Sequence, residues 1–162
     1  MTRPMHAQRG YGLLEAMVSV LVVSIGFLGF AGAQIKGLEN ANNSLLRGKA
    51  VDLAYQMTDR VRGNAPGAAA GAYNALSGAM TMPACMSTGC TVAQMAQGDY
   101  AEWSAAVAQV LPAGQAAVCL DSTPDDGDPG DPQCDNAGTT LVVKIWWQEK
   151  KDVHRFVNAF RP

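Results

Sequence analysis

Glu15 is the residue most in need of a chemical reason. It is the only charged side chain in Tyr11–Ala33, a run of about 23 mostly apolar residues and long enough for a roughly 30 Å hydrocarbon core. A charge at mid-bilayer costs roughly 2.5–3.5 kcal/mol on insertion scales. Near the helix N-terminus the cost falls, and the macrodipole favours a negative charge there. The other candidates for chemistry lie far downstream. Cys85, Cys90, Cys119 and Cys134 suit disulfides if they face an oxidising compartment. A zinc site is the rival, but paired C-x2-C units are missing, and His154 is the one histidine outside residues 1–10. Asp121, Asp125, Asp126, Asp128, Asp131 and Asp135 offer hard oxygens that suit calcium. Prolines interrupt that run and no EF-hand spacing is present, so a solvated loop over residues 121–135 is the favoured reading. Gly67-Ala68-Ala69-Ala70-Gly71 lacks the Gly-Lys-Ser/Thr of a phosphate loop. No nucleophile motif or metal motif accompanies His154, and the aspartates sit in a Pro/Gly loop rather than on rigid elements. The residues point to no enzyme and no cofactor.

The elements that position these residues follow from the pattern. The chain has 162 residues, 48% of them hydrophobic, and a net charge of −2, which disfavours a nucleic-acid coat. Residues 1–10 carry Arg3, His6 and Arg9 and no acid, so that end is expected to stay cytoplasmic while the rest crosses the membrane. Two plain readings of the apolar run are an ordinary membrane anchor and a secretory signal cut after Ala31-Gly32-Ala33. The run exceeds a signal h-region and contains a carboxylate, which counts against the second. Gly26, Gly29 and Gly32 recur every third residue, a spacing that lets another helix approach closely and is also common in membrane helices generally. No proline stands between Met5 and Ala65.

Beyond Ala33 the pattern turns amphipathic. Ile35, Leu38, Leu45, Leu46, Leu53, Met57 and Val61 fall at mostly helical spacings among charged residues. Tyr11–Arg62 reads as one helix of about 52 residues, close to 78 Å if straight. The predicted organisation is a basic leader over 1–10, a transmembrane half over 11–33, an amphipathic half over 34–62 and an α+β head over 63–162. Within the head, the Ala/Gly stretch around 67–71 reads as irregular. Asp99-Tyr100-Ala101-Glu102 reads as a capping-box variant opening a helix whose apolar face is Trp103, Val107, Val110 and Leu111. Strands follow at about 116–120, 139–149 and 153–160, with a loop over 121–138 and a turn at Lys150-Lys151. Leu141, Val143, Ile145 and Trp147 share one strand face, expected to pack on the amphipathic helix. Trp146, on the other face, is either a partner contact or covered by a loop. Four cysteines allow three pairings. Sequence neighbours suggest Cys85–Cys90 and Cys119–Cys134.

The stretch Gln8-Arg9-Gly10-Tyr11-Gly12-Leu13-Leu14-Glu15 resembles the prepilin processing motif of type IV pilins and pseudopilins. In that motif a basic leader ends in Gly, and Glu stands fifth after the cut. Tyr11 replaces the commoner Phe, and Gly12 stands where Thr or Ser is usual. The resemblance implies that prepilin peptidase cuts Gly10–Tyr11 and N-methylates Tyr11. It also implies that the Glu15 carboxylate pairs with the N-terminal amine of a neighbouring subunit. The run Ser24-Ile25-Gly26-Phe27-Leu28-Gly29-Phe30-Ala31-Gly32, together with Ala101-Glu102-Trp103, Leu111-Pro112-Ala113-Gly114, Val118-Cys119 and Val142-Val143-Lys144-Ile145-Trp146-Trp147, resembles the PilV family of minor type IV pilins. That implies a low-abundance subunit held in the inner membrane with its head in the periplasm, then at or near the pilus tip. Its implied partners are prepilin peptidase, other minor and major pilins and the inner-membrane pilus assembly machinery. A type II secretion pseudopilin shares the processing motif; the cysteines and the Trp146-Trp147 strand lean toward the pilus. A tethered or secreted periplasmic binding domain, unrelated to filaments, is the reading from another class.

Overall fold

The computed structural model describes residues 11–85 and 89–162. Contacts divide the chain into two units, one ending at Asn42 and one spanning Asn43–Pro162. Helix α1, Tyr11–Gly63, supplies the described part of the first unit and opens the second. In the first unit Ser24 Oγ donates back to the Val20 carbonyl at 2.7 Å, and Lys36 pairs with Glu39 at 3.2 Å.

The second unit is an α+β head. Short helix α2 (Ala65–Ala69), strand β1 (Ala75–Ser77) and helix α3 (Val92–Val110) come first. Strands β2 (Gln115–Leu120), β3 (Leu141–Glu149) and β4 (Asp152–Phe160) follow. The sheet is antiparallel throughout, in the order β1-β2-β3-β4. Within α1, Leu46, Ala50, Leu53, Ala54, Met57 and Val61 are buried, at three- and four-residue intervals that keep them on one helical face. Ile35, Leu38 and Leu45 were expected on the same face and are instead exposed. The two alanines, unremarkable in sequence, complete the stripe.

Sheet residues of the inner face meet that stripe. Leu76, Val118, Leu141, Val143, Ile145 and Trp147 join one core with Tyr100, Trp103 and Val107 of α3 and with its C-cap Leu111. Polar atoms that this packing buries find partners. Trp103 Nε1 donates to the Leu53 carbonyl at 2.7 Å, Tyr100 Oη to the Ala116 carbonyl at 2.8 Å, and Asn158 Nδ2 to Thr58 Oγ1 at 2.9 Å. These three bonds tie α1 to α3, α3 to β2 and β4 to α1.

Four further expectations are corrected. The stretch after Gly63 is not wholly irregular. Asn64 caps α2 by accepting from Gly67 N at 3.3 Å, and Pro66 sits in the first turn, where its missing N–H costs nothing. A Cβ on Gly67 would stand 2.4 Å from the Asn64 side chain, so any larger residue there must displace the capping group. Strand β1 was missed, because three residues are too few to show alternation. Helix α3 begins eight residues earlier than Asp99-Tyr100-Ala101-Glu102 suggested, with Thr91 rather than Asp99 as its cap. Thr91 and Gln94 form the true capping box: Gln94 N donates to Thr91 Oγ1 at 3.2 Å and Thr91 N to Gln94 Oε1 at 3.0 Å. Asp99 lies inside the helix and accepts from Tyr73 Oη at 2.6 Å. Val110, expected on the buried face, is 39% exposed.

Removing the cap separates the two assignments. Thr91→Ala should destabilise the head by about 1 kcal/mol and fray the first turn of α3. Amide exchange in detergent should show the loss at residues 92–95 and leave residues 99–102 protected.

Candidate functional site

Two regions carry the residues singled out from sequence. In the first unit, α1 opens at Tyr11, while Gly10 lies outside the described residues. Glu15 is exposed in the second turn, amid exposed Leu13, Leu14, Met17 and Val18. An 18-residue window of this helix reaches a mean hydropathy of 2.2, and none of that window is buried within the chain. A Cβ built on Gly26, Gly29 or Gly32 would meet nothing within 4 Å. Among the described residues of this unit, nothing covers this apolar surface. At roughly 25 cal/mol per Å² of apolar area, removing it from water into lipid or against other helices is strongly favourable.

The second region is the outer face of the sheet. Strand alternation sends Val142, Lys144 and Trp146 away from the helices, yet all three are buried. The loop between β2 and β3 covers them, so Trp146 is closed off rather than offered to a partner. Lys144 Nζ is fully enclosed by four oxygens. Asp121 Oδ2 lies at 2.6 Å, Asp126 Oδ1 at 2.8 Å, the Pro132 carbonyl at 2.9 Å and the Asp126 carbonyl at 3.1 Å. The Asp121 contact is an ion pair rather than a directed hydrogen bond. Two further donors reach the same loop. Trp146 Nε1 donates to the Gly127 carbonyl at 3.3 Å and Arg155 Nη1 to the same oxygen at 2.8 Å, while Arg155 Nη2 donates to the Asp125 carbonyl. Gly127 has φ +83°, and a Cβ there would meet the Pro132 carbonyl at 2.4 Å. Only glycine allows the loop to fold this tightly.

The acidic loop is thus neither a calcium site of EF-hand type nor simply solvated. An internal ammonium occupies its centre. Asp135 is engaged separately, accepting from Ser122 Oγ and, at 2.8 Å, from Ala137 N. The Lys144 hydrogen bond, and then that of Thr123, hold the Asp126 carboxyl below its ordinary range; the Ser122 hydroxyl does the same for Asp135.

Cys119 and Cys134 are joined in a disulfide with Cα atoms 6.1 Å apart, and Cys85 and Cys90 in another at 4.9 Å. Cys119, Asp121 and Cys134 do cluster, but their sulfurs are bonded to each other and offer no thiolate for zinc. His154 lies on β4, stacked on Trp147 at 5.7 Å and 3.7 Å from Glu149 Oε2. It is far from the cysteines in strand register and makes no nucleophile pair among the described residues. Sequence reading missed Lys144, Arg155 and Gly127. The available signal was a lone lysine between Val143 and Ile145, opposite a crowd of aspartates.

Replacing Lys144 by Met should leave Asp121 buried without its counter-charge and destabilise the head by about 3–5 kcal/mol. The combined Lys144→Met and Asp121→Leu change should recover much of that loss in thermal melts. For Asp126 and Asp135, the folded form holds the carboxylate at a depressed pKa. Their stabilisation is complete above the ordinary carboxylate range and is lost as pH falls through the lower folded values. Melting temperature should therefore drop below about pH 4, and Asp126→Asn should flatten part of that drop.

Residues 5–31 match the family model described as the prokaryotic N-terminal methylation motif. Residues 32–101 match the model described as Type IV pilin Tt1218. No curated protein and no solved structure matches the chain. The two matches adjoin along the chain, cover the apolar helix and the start of the head, and together support a type IV pilin.

Proposed function

We propose that this chain is a minor type IV pilin of the PilV kind, which assembles into a pilus and helps to initiate it after prepilin peptidase processing. The observation that carries the reading is the methylation-motif match over residues 5–31, whose described part from Tyr11 is helical with an apolar surface uncovered among the described residues. The leader 1–10 is cut at Gly10–Tyr11 on the cytoplasmic side, and the Tyr11 amine is methylated. Residues 11–33 hold the subunit in the inner membrane, with residues 34–62 continuing as the amphipathic half and the head 63–162 in the periplasm. Assembly machinery in the inner membrane then moves the subunit among other minor and major pilins, to a place at or near the tip.

Glu15 sets register in this scheme. Its carboxylate pairs with the N-terminal amine of a neighbouring subunit. Two unit charges about 4 Å apart attract by roughly 4 kcal/mol at an effective dielectric of 20, before desolvation is subtracted. Helix burial supplies most of the binding, and the ion pair selects one alignment among several.

Intact mass and N-terminal sequencing from cells with and without prepilin peptidase test the reading. A chain starting at methylated Tyr11, seen only with the peptidase, is expected. A chain starting at Gln34, or uncut in both strains, would overturn it. Glu15→Ala should leave the protein inserted and cleaved but deplete it from sheared pili; normal abundance there would remove the register role. Loss of secretion with intact pili and twitching in a deletion strain would move the protein to the secretion pseudopilus.

A further inference from the structure

Lys144 has more neighbours than an ammonium can bond. Its Nζ carries three hydrogens, yet four oxygens lie within 3.1 Å of it. Three of them accept hydrogen bonds: Asp126 Oδ1, the Asp126 carbonyl and the Pro132 carbonyl. The fourth, Asp121 Oδ2, is the nearest at 2.6 Å and takes no hydrogen bond among the described residues. Both side chains of this closest pair are completely buried. An amine nitrogen and a carboxyl group are thus pressed together out of water, with no hydrogen bond directing the contact.

The cluster treats its two carboxylates differently. Asp121 Oδ1 accepts from Thr123 N at 3.0 Å. One oxygen of Asp121 is therefore pinned while the other faces Nζ. Asp126 Oδ2 accepts from Thr123 Oγ1 at 2.8 Å, its Oδ1 accepts from Lys144, and its side chain is 36% exposed. Asp126 bridges the amine and the solvent.

These are the conditions for a condensation. A fixed site replaces a bimolecular encounter by an effective concentration far above any reached in solution. Burial disfavours the charged forms and favours amine and carboxylic acid, which are the reactive ones.

We propose that Lys144 and Asp121 join in an intramolecular amide, with Asp126 as proton relay. One proton passes from Lys144 Nζ to Asp121 Oδ2, and the free amine attacks Asp121 Cγ. The Nζ–Cγ bond forms, and the charge that develops on Oδ1 meets the Thr123 N–H. Asp126 Oδ1 takes a second proton from Nζ and delivers it to Oδ2. The Cγ–Oδ2 bond breaks, and water leaves past the exposed side of Asp126. Asp126 begins and ends as a carboxylate. Ammonium and carboxylate become one amide and one water, so atoms and charge balance with no oxidant, metal or added reagent. The amide ties the residue that follows β2 to the middle of β3, beside the Cys119–Cys134 disulfide, and unlike that bond it resists reductant. The proposal stands on the head alone and does not depend on the pilin reading.

The test is a mass measurement on the full chain. Chain dissolved from inclusion bodies in denaturant lacks the geometry and should show its full mass once reduced. After refolding into detergent micelles, the reduced mass should fall with time by one water. Cleavage before aspartates should then release residues 99–124 and 135–151 as one branched peptide, because an amidated Asp121 is no longer a cleavage site. Lys144→Met and Asp121→Ala should keep their full mass, and Asp126→Ala should condense about a hundredfold more slowly. Where those variants fail to fold, the branched peptide from the unaltered chain decides. Full mass after long incubation of the refolded chain would overturn the proposal. So would a branch onto Asp126, or a water lost without any branch, as a succinimide at Asp126-Gly127 would lose it. Condensation of Asp126→Ala at the unaltered rate would overturn the relay.

Discussion

An ammonium group at the middle of the sheet governs how the head closes. Lys144 occupies a strand position that alternation sends away from the helices, yet it is wholly buried. A buried charge is tolerable only with good partners. The loop over β3 meets that demand with Asp121, Asp126 and two main-chain carbonyls. Irregular backbone covering a sheet has its own need, because its carbonyls lose water. Lys144, Trp146 and Arg155 answer it from below, donating to the carbonyls of Asp125, Asp126, Gly127 and Pro132. The two needs satisfy each other. The Cys119–Cys134 disulfide fastens the loop to β2 and limits its freedom in the unfolded chain.

This arrangement makes β3 a strand buried on both faces, with Leu141–Trp147 out of water throughout. Antiparallel sheets in small heads often leave one face to solvent. Here one face takes the α1 and α3 side chains and the other takes the loop. The inner contacts depend on small residues: Ala50 and Ala54 lie fully buried on α1, where larger side chains would hold the sheet away. Trp103 fills the space between α1 and α3 and directs its Nε1 into the Leu53 carbonyl. The short α2 is fixed by Asn64, which reaches both Tyr73 Oη at 3.1 Å and the Val92 carbonyl at 2.8 Å. One side chain thereby caps one helix and ties it to the start of the next.

Elements with a strong period were legible in the sequence. The 53-residue α1, the β3–β4 hairpin with its turn at Lys150-Lys151 and the loop over 121–138 appear within a few residues of their expected bounds. The Leu141, Val143, Ile145 and Trp147 face packs as alternation required. What failed were features set by single contacts. Helix α3 starts at Val92, capped by Thr91, because Gln94 completes the box, a pair the sequence reading did not single out. Strand β1 exists because Leu76 lies opposite Val118, a tertiary fact with no local signature. The aspartates were read as metal-like or solvated because their counter-cation is on another strand. The spacing of acids alone does not reveal which lysine will be drawn among them. Gly10 lies outside the described residues, and Glu15 has a position on α1 but no partner among the described residues, so their roles rest on motif and not on geometry.

The chain is left incomplete in two physically different ways. Along the apolar part of α1 the missing component is area, and any apolar neighbour supplies it, because burial is non-directional. On the proposed pilin reading, specificity then comes from a sparse feature such as Glu15. Along β4 the missing component is direction. Outward N–H and C=O groups at fixed spacing accept only an extended chain, in register with the strand. The β1 edge, three residues long, offers no comparable ladder. A head with one long edge rather than two cannot propagate an open sheet on both sides, which limits the aggregation that two free edges would invite.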